Sequence, residues 1–308
     1  MIKYLIFLIF CFFALSAKAN VKAINIVTYG NNPVKEQYIE TLKLASLYKF
    51  NEIDLTKHKI EGSQGVYIAI GAKALNHLIE LELKAPILTV FVKRNSFYHT
   101  IQSAEHKSLA NGKLADLNNI GAIYSDPSIE QQLDLIKGIF GVSASIGVIT
   151  SQLSSFMKDE LSLLVDNQNL SIKFVNYDPN DNINKTINSI KEQSVLLALP
   201  DSLVWNSTTL KNIVLSTYRN EQPIVGFSRS LVKAGSIATY YSDLDHIVLE
   251  TVNRLKLMNE EQPINIRASS KYNFLVTNDN VLRSFNLKKP INDNKYKPVR
   301  LSKPENLK

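Results

Sequence analysis

The chain has 308 residues, a formal net charge of +7, 45% hydrophobic and 20% charged residues, and one cysteine. That is the composition of an ordinary globular protein, long enough for one large or two smaller lobes. The positive excess crowds into the end of the chain, at Lys288, Lys289, Lys295, Lys297, Arg300, Lys303 and Lys308. A solvated tail with a minor role at an anionic surface explains it better than a nucleic-acid footprint.

The first residues, MIKYLIFLIFCFFALSAKAN, have the layout of an export signal. Lys3 supplies the positive start, Tyr4–Leu15 the apolar stretch and Ala17-Lys18-Ala19 the small-residue cleavage site, so the mature chain is expected to begin at Asn20. The apolar stretch is shorter than the roughly 20 residues of a membrane-spanning helix. Cys11 lies inside it with Phe10 before it, which speaks against lipid attachment. Removal of the signal takes away the only cysteine, and with it disulfides, thiolate chemistry and cysteine-bound metals. Losing Lys3 and Lys18 lowers the net charge from +7 to +5.

In chain order, Lys22–Thr28 predicts a strand and Tyr29–Pro33 a turn. Val34–Tyr48 carries apolar residues at helical spacing, Phe50–Leu55 a short strand, and Gly65–Ile70 (GVYIAI) the near-continuous apolar run of a strand buried on both faces. A helix is expected from Gly71-Ala72-Lys73-Ala74 through Leu83, then the buried strand Pro86–Val92. Phe97–Ser108 is expected to be helical, with a turn at Asn111-Gly112. Ile120–Tyr124 is again a strand, stopped by Ser125-Asp126-Pro127, and Ser128–Phe140 sets Ile129, Leu133, Ile136 and Phe140 on one helical face.

A second cycle starts near Ala144. Ala144–Thr150 and Leu170–Val175 predict strands, Gln152–Val165 and Ile183–Lys191 helices. Ser194–Tyr241 reads as an apolar run ending at Pro200-Asp201, a helix, a second run over Pro223–Gly226, a polar turn and a third strand. Leu244–Met258 predicts a helix, Asn273–Val276 a strand and Asn280–Phe285 a short helix. Residues 288–308 show no periodicity. Strands alternating with helices throughout predict an α/β protein with two mostly parallel, doubly wound sheets.

Chemistry is sparse. The histidines are His58, His77, His99, His106 and His246, none at metal-binding spacing from another, and solvation or capping accounts for them. No nucleophile elbow, phosphate loop or dinucleotide fingerprint occurs. Ser151, Ser154 and Ser155 follow a strand end without a neighbouring histidine, so a serine hydrolase ranks last among the readings. Asp126 and Asp201 end strands, where a carboxylate binds an ammonium or caps a helix more readily than it performs acid–base work. What remains are strand-to-helix loops of small and hydroxylated residues, suited to holding a solute or simply to capping helices.

Three passages resemble the substrate-binding proteins of an ABC-transporter family that includes tryptophan- and other amino-acid-binding proteins. They are SDPSIEQQLDLIKGIFGVSASIGVIT (Ser125–Thr150), LPDSLVW with PIVGFSRSLVKAGSIATYYSDLDHI (within Leu199–Ile247), and YNFLVTNDNVLRSFNLKKP (Tyr272–Pro290). The resemblance implies a type I periplasmic-binding fold, two α/β lobes joined by a hinge that the chain crosses three times. The crossings are expected near Tyr124, Ser236–Ser242 and Arg267–Tyr272. Lobe I would comprise residues 20–123 and 243–267, lobe II residues 124–242 and 268–287, and the tail 288–308.

Carried over position by position, the resemblance implies ligand contacts at Gly71, Ala72 and Lys73, at Ser125 and Asp126, at Ser151, Ser154 and Ser155, and at Asp201, Ser202, Phe227 and Ser228. Two departures stand out. The family's Asn, Glu and Asn in the Ser151–Ser155 loop are missing, and its Val-Thr-Asp-Pro after the fourth strand is replaced by Val92-Lys93-Arg94-Asn95. Arg94 joins the candidate contacts there, where a cation suits an anionic ligand or faces solvent. The expectation is a monomeric, non-catalytic, cofactor-free periplasmic protein that hands a small polar or amino-acid-like solute to an ABC permease or other membrane partner. The alternative is a sensing module of the same fold that acts on a receptor or transporter without a permease.

Overall fold

The computed structural model describes residues 23–30, 32–60, 64–110, 117–259 and 265–290. The expected signal segment, the turn at Asn111-Gly112 and the tail beyond residue 290 lie outside them. Among the described residues no helix is long and apolar enough to cross a membrane.

Strands β1 (Ile24–Thr28), β2 (Phe50–Asp54), β3 (Val66–Ile70), β4 (Ile87–Val92), β5 (Ile120–Tyr124) and β11 (Arg267–Ser269) form a first sheet in the order β11-β5-β4-β3-β1-β2. Every pairing in it is parallel. The continuous apolar runs follow from burial on both faces, because successive side chains point to opposite sides. On β3, Ile68 and Ile70 enter one core and Tyr67 and Ala69 the other. Helices α1 (Pro33–Ala45) and, much later, α9 (Leu244–Asn259) cover the first face, joined by the Tyr38 hydroxyl and Thr251 Oγ1 at 2.9 Å. Helices α2 (Ala72–Glu80) and α3 (Arg94–Ala110) cover the second through Ala74, Leu75, Leu78, Phe97 and Ile101.

The second sheet holds β6 (Ser145–Thr150), β7 (Ser171–Asn176), β8 (Val195–Leu197), β9 (Ile224–Val225), β10 (Ala238–Tyr241) and β12 (Phe274–Thr277) in the order β12-β10-β9-β8-β6-β7. Only β10 and β12 pair antiparallel. Helices α4 (Ile129–Phe140), α5 (Lys158–Asn167) and α10 (Asp279–Ser284) pack on one face, and α6 (Ile183–Asn188), α7 (Leu210–Arg219) and α8 (Arg229–Ala234) on the other. Two doubly wound lobes result.

The chain passes between sheets at Ser125–Ser128, Ser242–Asp243 and Ser270–Asn273. The crossings bind one another: Ser242 Oγ and Ser270 Oγ both donate to the Tyr272 carbonyl, at 2.7 and 3.0 Å, and Asn273 Nδ2 donates to Gln131 Oε1 at 3.2 Å. Gln131 in turn completes a capping box with Ser128 at the start of α4, worth about 1 kcal/mol. The second crossing is narrower than the expected Ser236–Ser242, because Ala238–Tyr241 pairs along β12.

Several element expectations need correcting. The polar turn expected after Phe227 is the six-residue helix α8, with Ser228 as its cap. Arg267–Ser269 is a strand on the edge of the first sheet, held by pairing with Ala122–Tyr124. Helix α3 begins at Arg94, three residues before the expected Phe97, because Asp126 Oδ1 accepts the Arg94 N–H at 2.9 Å. The helix expected from Gln152 begins only at Lys158, after a turn and a 3-10 segment, Ser155–Met157.

Candidate functional site

Parallel strands carry their connecting loops at the carboxyl ends, and those loops from the two sheets meet in a cleft. Arg94 Nη1 reaches Glu160 Oε1 of the other lobe at 2.6 Å. The Tyr98 ring stacks on Phe156 with centroids 3.7 Å apart and planes 5° apart. His99 Nε2 sits 2.8 Å from the Leu153 carbonyl oxygen. Further along, Lys93 Nζ lies 5.1 Å from the Phe227 ring centroid, again from lobe to lobe. A pocket of about 530 Å³ opens beside these contacts, lined among others by Arg94, Tyr98, Tyr124, Phe156, Glu160 and Arg267.

Gly71 takes φ +86° at the amino end of α2, and a side chain there meets nothing within 4 Å. No side chain caps this helix; Ala72 and the exposed Lys73 open it, with Lys73 Nζ 5.2 Å from the Tyr29 ring centroid. Ser125 ties β5 to β4, its N–H and hydroxyl both donating to the Val92 carbonyl at 2.9 and 3.3 Å. Burial pushes the Asp126 carboxyl up, against the lowering pull of the Arg94 N–H and the Arg94 charge. Burial disfavours the Arg94 cation too, but the Glu160 hydrogen bond and charge, together with the charges of Asp126 and Tyr124, outweigh it, so its net shift is upward. Tyr124, beside it, is raised by burial.

Three candidate contacts turn inward. Asp201 is 1% exposed; its Oδ2 accepts from Ser151 N–H, Ser151 Oγ and Ser154 Oγ at 3.1, 2.7 and 2.6 Å, and its Oδ1 from Leu203 and Val204 N–H at 2.9 and 3.3 Å. Asp201, Ser151 and Ser154, expected at the ligand, bond one another and brace the loop after β6 against the loop after β8. Ser155 and Ser202 stay exposed beside this brace. Phe227 is 8% exposed and meets Trp205 edge-on at 6.5 Å. Ser228 Oγ accepts from Leu231 N–H at 3.2 Å, so it too serves a helix. Arg94 and Phe227 make contacts from lobe to lobe, Gly71 and Lys73 stand at the carboxyl end of β3, and Asp126, Ser151, Ser154 and Asp201 are buried at other strand ends.

Tyr29, Lys93, Tyr98, His99, Phe156 and Glu160 were not singled out by the sequence. Tyr29 and Lys93 carried a usable signal, each being the first residue beyond a buried strand. Tyr98 and His99 become cleft residues only once the helix starts at Arg94. Among the described residues no histidine ring is hydrogen-bonded to a serine hydroxyl, and no group of three metal-binding side chains occurs.

No protein-family model and no curated protein matches the sequence. Solved structures do match. The ligand-free, open structure of a substrate-binding protein with adhesive properties from Clostridium difficile superposes with a TM-score of 0.63 at 16% identity, covering 90% of this chain and 98% of that one. The fold is the two-lobed type I periplasmic-binding fold. An ABC domain from Streptococcus pneumoniae in complex with L-Trp matches with a TM-score of 0.54 at 14% identity, over 87% and 95% of the two chains. A conserved domain protein from Vibrio cholerae gives 0.54 at 16% identity, over 88% and 96%.

Proposed function

We propose that this chain is an exported, periplasmic solute-binding protein that closes its two lobes on a small polar or amino-acid-like molecule and presents it to an ABC permease. The observation that carries the reading is the cleft itself. Two separately cored lobes are joined at three mutually bonded crossings, and their strand-end loops face each other with aromatic and charged side chains. Such a hinge lets a ligand shift the balance between open and closed forms by its extra contacts in the closed one. The bridging groups are hydrogen bonders and ring faces, as solute capture requires. The sequence supports export, through the charged start, apolar stretch and small-residue site of residues 1–19. The likeness in shape to an ABC domain in complex with L-Trp and to a substrate-binding protein supports the permease partner.

Thermal scanning of the mature chain against a metabolite panel tests this reading. A ligand of one specific site, present at 100 times its dissociation constant, adds about 2.7 kcal/mol to stability. A clear upward shift with a narrow set of related solutes is expected; no shift with any solute would contradict the reading.

A further inference from the structure

The solute-binding reading leaves the charge class of the ligand open, and the side chains at the cleft bear on it. Carboxylates stand at or just beyond several strand ends, and each is already engaged. Asp54, ending β2, accepts from the Gly30 and Thr56 N–H groups at 3.0 Å each. Asp126 is buried on the Arg94 N–H, and Asp201 is enclosed by Ser151 and Ser154. Asp178, beyond β7, accepts from the Asn180 N–H and side-chain amide at 2.8 and 2.9 Å, and Asp243 from the His246 N–H at 3.0 Å. Glu160, which does cross the cleft, is paired with Arg94.

The cations are arranged differently. Lys73 and Lys93 follow the central strands β3 and β4, are exposed, and lie over the rings of Tyr29 and Phe227, with the buried Asp126 carboxylate near enough to Lys93 for their charges to interact. A ring face steadies an ammonium without cancelling its charge. Closing the lobes strips water from such groups, and a charge that loses water needs a counter-charge. Directly after the central strands β3 and β4 an incoming anion meets two exposed ammoniums, Lys73 and Lys93, the latter partly offset by the buried Asp126, whereas an incoming ammonium meets no carboxylate in either of these loops.

Resting on the solute-binding reading, we infer that the cleft selects small organic anions, carboxylates or phosphate esters without a balancing ammonium, and that Lys73 and Lys93 are the residues that set this preference. Calorimetric titration of the mature chain with matched probes tests it. The pairs are glutarate against 5-aminopentanoate, and ribose 5-phosphate against ribose; whichever anion binds tells carboxylate from phosphate. The expected result is binding of at least one anion, at least about tenfold tighter than its partner, weakening as salt rises. Lys73→Gln and Lys93→Gln should each loosen it several-fold, while Lys93→Arg keeps most of it and the melting temperatures of all three variants stay put. Equal or tighter binding of 5-aminopentanoate or ribose would overturn the inference, as would undiminished anion binding in the double glutamine variant or silence with both anions. Native mass spectrometry of protein purified without refolding separates the two levels. A carried-over zwitterion or neutral sugar overturns the charge class and leaves solute binding standing. An empty chain that also ignores every probe removes both.

Discussion

Asp201 shows how one side chain can look like a ligand contact in sequence and serve as a brace in three dimensions. Its neighbours in space, Ser151 and Ser154, are 50 and 47 residues away along the chain, so nothing local announces them. Asp201→Ala strands two buried hydroxyls and several N–H groups. A loss of about 3 kcal/mol is expected by urea denaturation, well beyond an ordinary surface change. A loss below about 0.5 kcal/mol would return Asp201 to the role of a free cleft carboxylate. Asp126 makes a pH prediction. Burial holds its folded-state carboxyl above the unfolded value of about 3.9, so the folded chain keeps that proton to higher pH than the unfolded one. Its contribution to stability therefore falls as pH rises from the unfolded value through the raised one. Asp126→Asn retains an acceptor for the Arg94 N–H and should remove that slope, read as the difference between variant and parent across pH 4–7; parallel curves would contradict it.

At the scale of elements, glycines with positive φ separate steric need from backbone need. A side chain on Gly65, at φ +96°, sits 2.2 Å from the Ala23 carbonyl oxygen, where β3 starts alongside β1. Gly71 has φ +86° and open space around it. Gly65→Ala should cost about 2–4 kcal/mol and Gly71→Ala about 1 kcal/mol, measured in the same denaturation series. Equal costs would mean the close approach at Gly65 is absent. The strongly apolar strands were legible because double burial writes itself as an unbroken run, as in Val66–Ile70 and Ile87–Val92. Strand β11 was not, since Arg-Ala-Ser carries no such run and pairs through its backbone. The true start of α3 was hidden for a similar reason: its capping carboxylate belongs to Asp126, 32 residues on. Of the residues that touch across the lobes, Arg94 and Phe227 could be found as strand-end residues. Tyr98, His99, Phe156 and Glu160 depend on how the two lobes approach each other, which no local pattern encodes.

For the whole molecule, the contacts from lobe to lobe matter most. The Tyr98–Phe156 stack, the Arg94–Glu160 pair and the His99–Leu153 bond join α3 to the loop and helix after β6. They join different lobes, and Tyr98 and Glu160 belong to neither core, so weakening the contacts through these two should loosen closure without damaging either core. A Tyr98→Ala, Glu160→Gln double variant without ligand is expected to show a radius of gyration larger by on the order of 1 Å in small-angle scattering, with little change in melting temperature. An unchanged radius would mean that the hinge bonds, rather than this contact set, hold the lobes together. The proposed function requires that a single small molecule occupies the cleft. Native mass spectrometry of the protein, released from its cells and purified without refolding, tests that most directly. The account predicts a complex of one chain with one small molecule, and its loss when a bulky residue is placed at Gly71. A bare polypeptide mass in every preparation, with no solute able to raise the melting temperature, would contradict it.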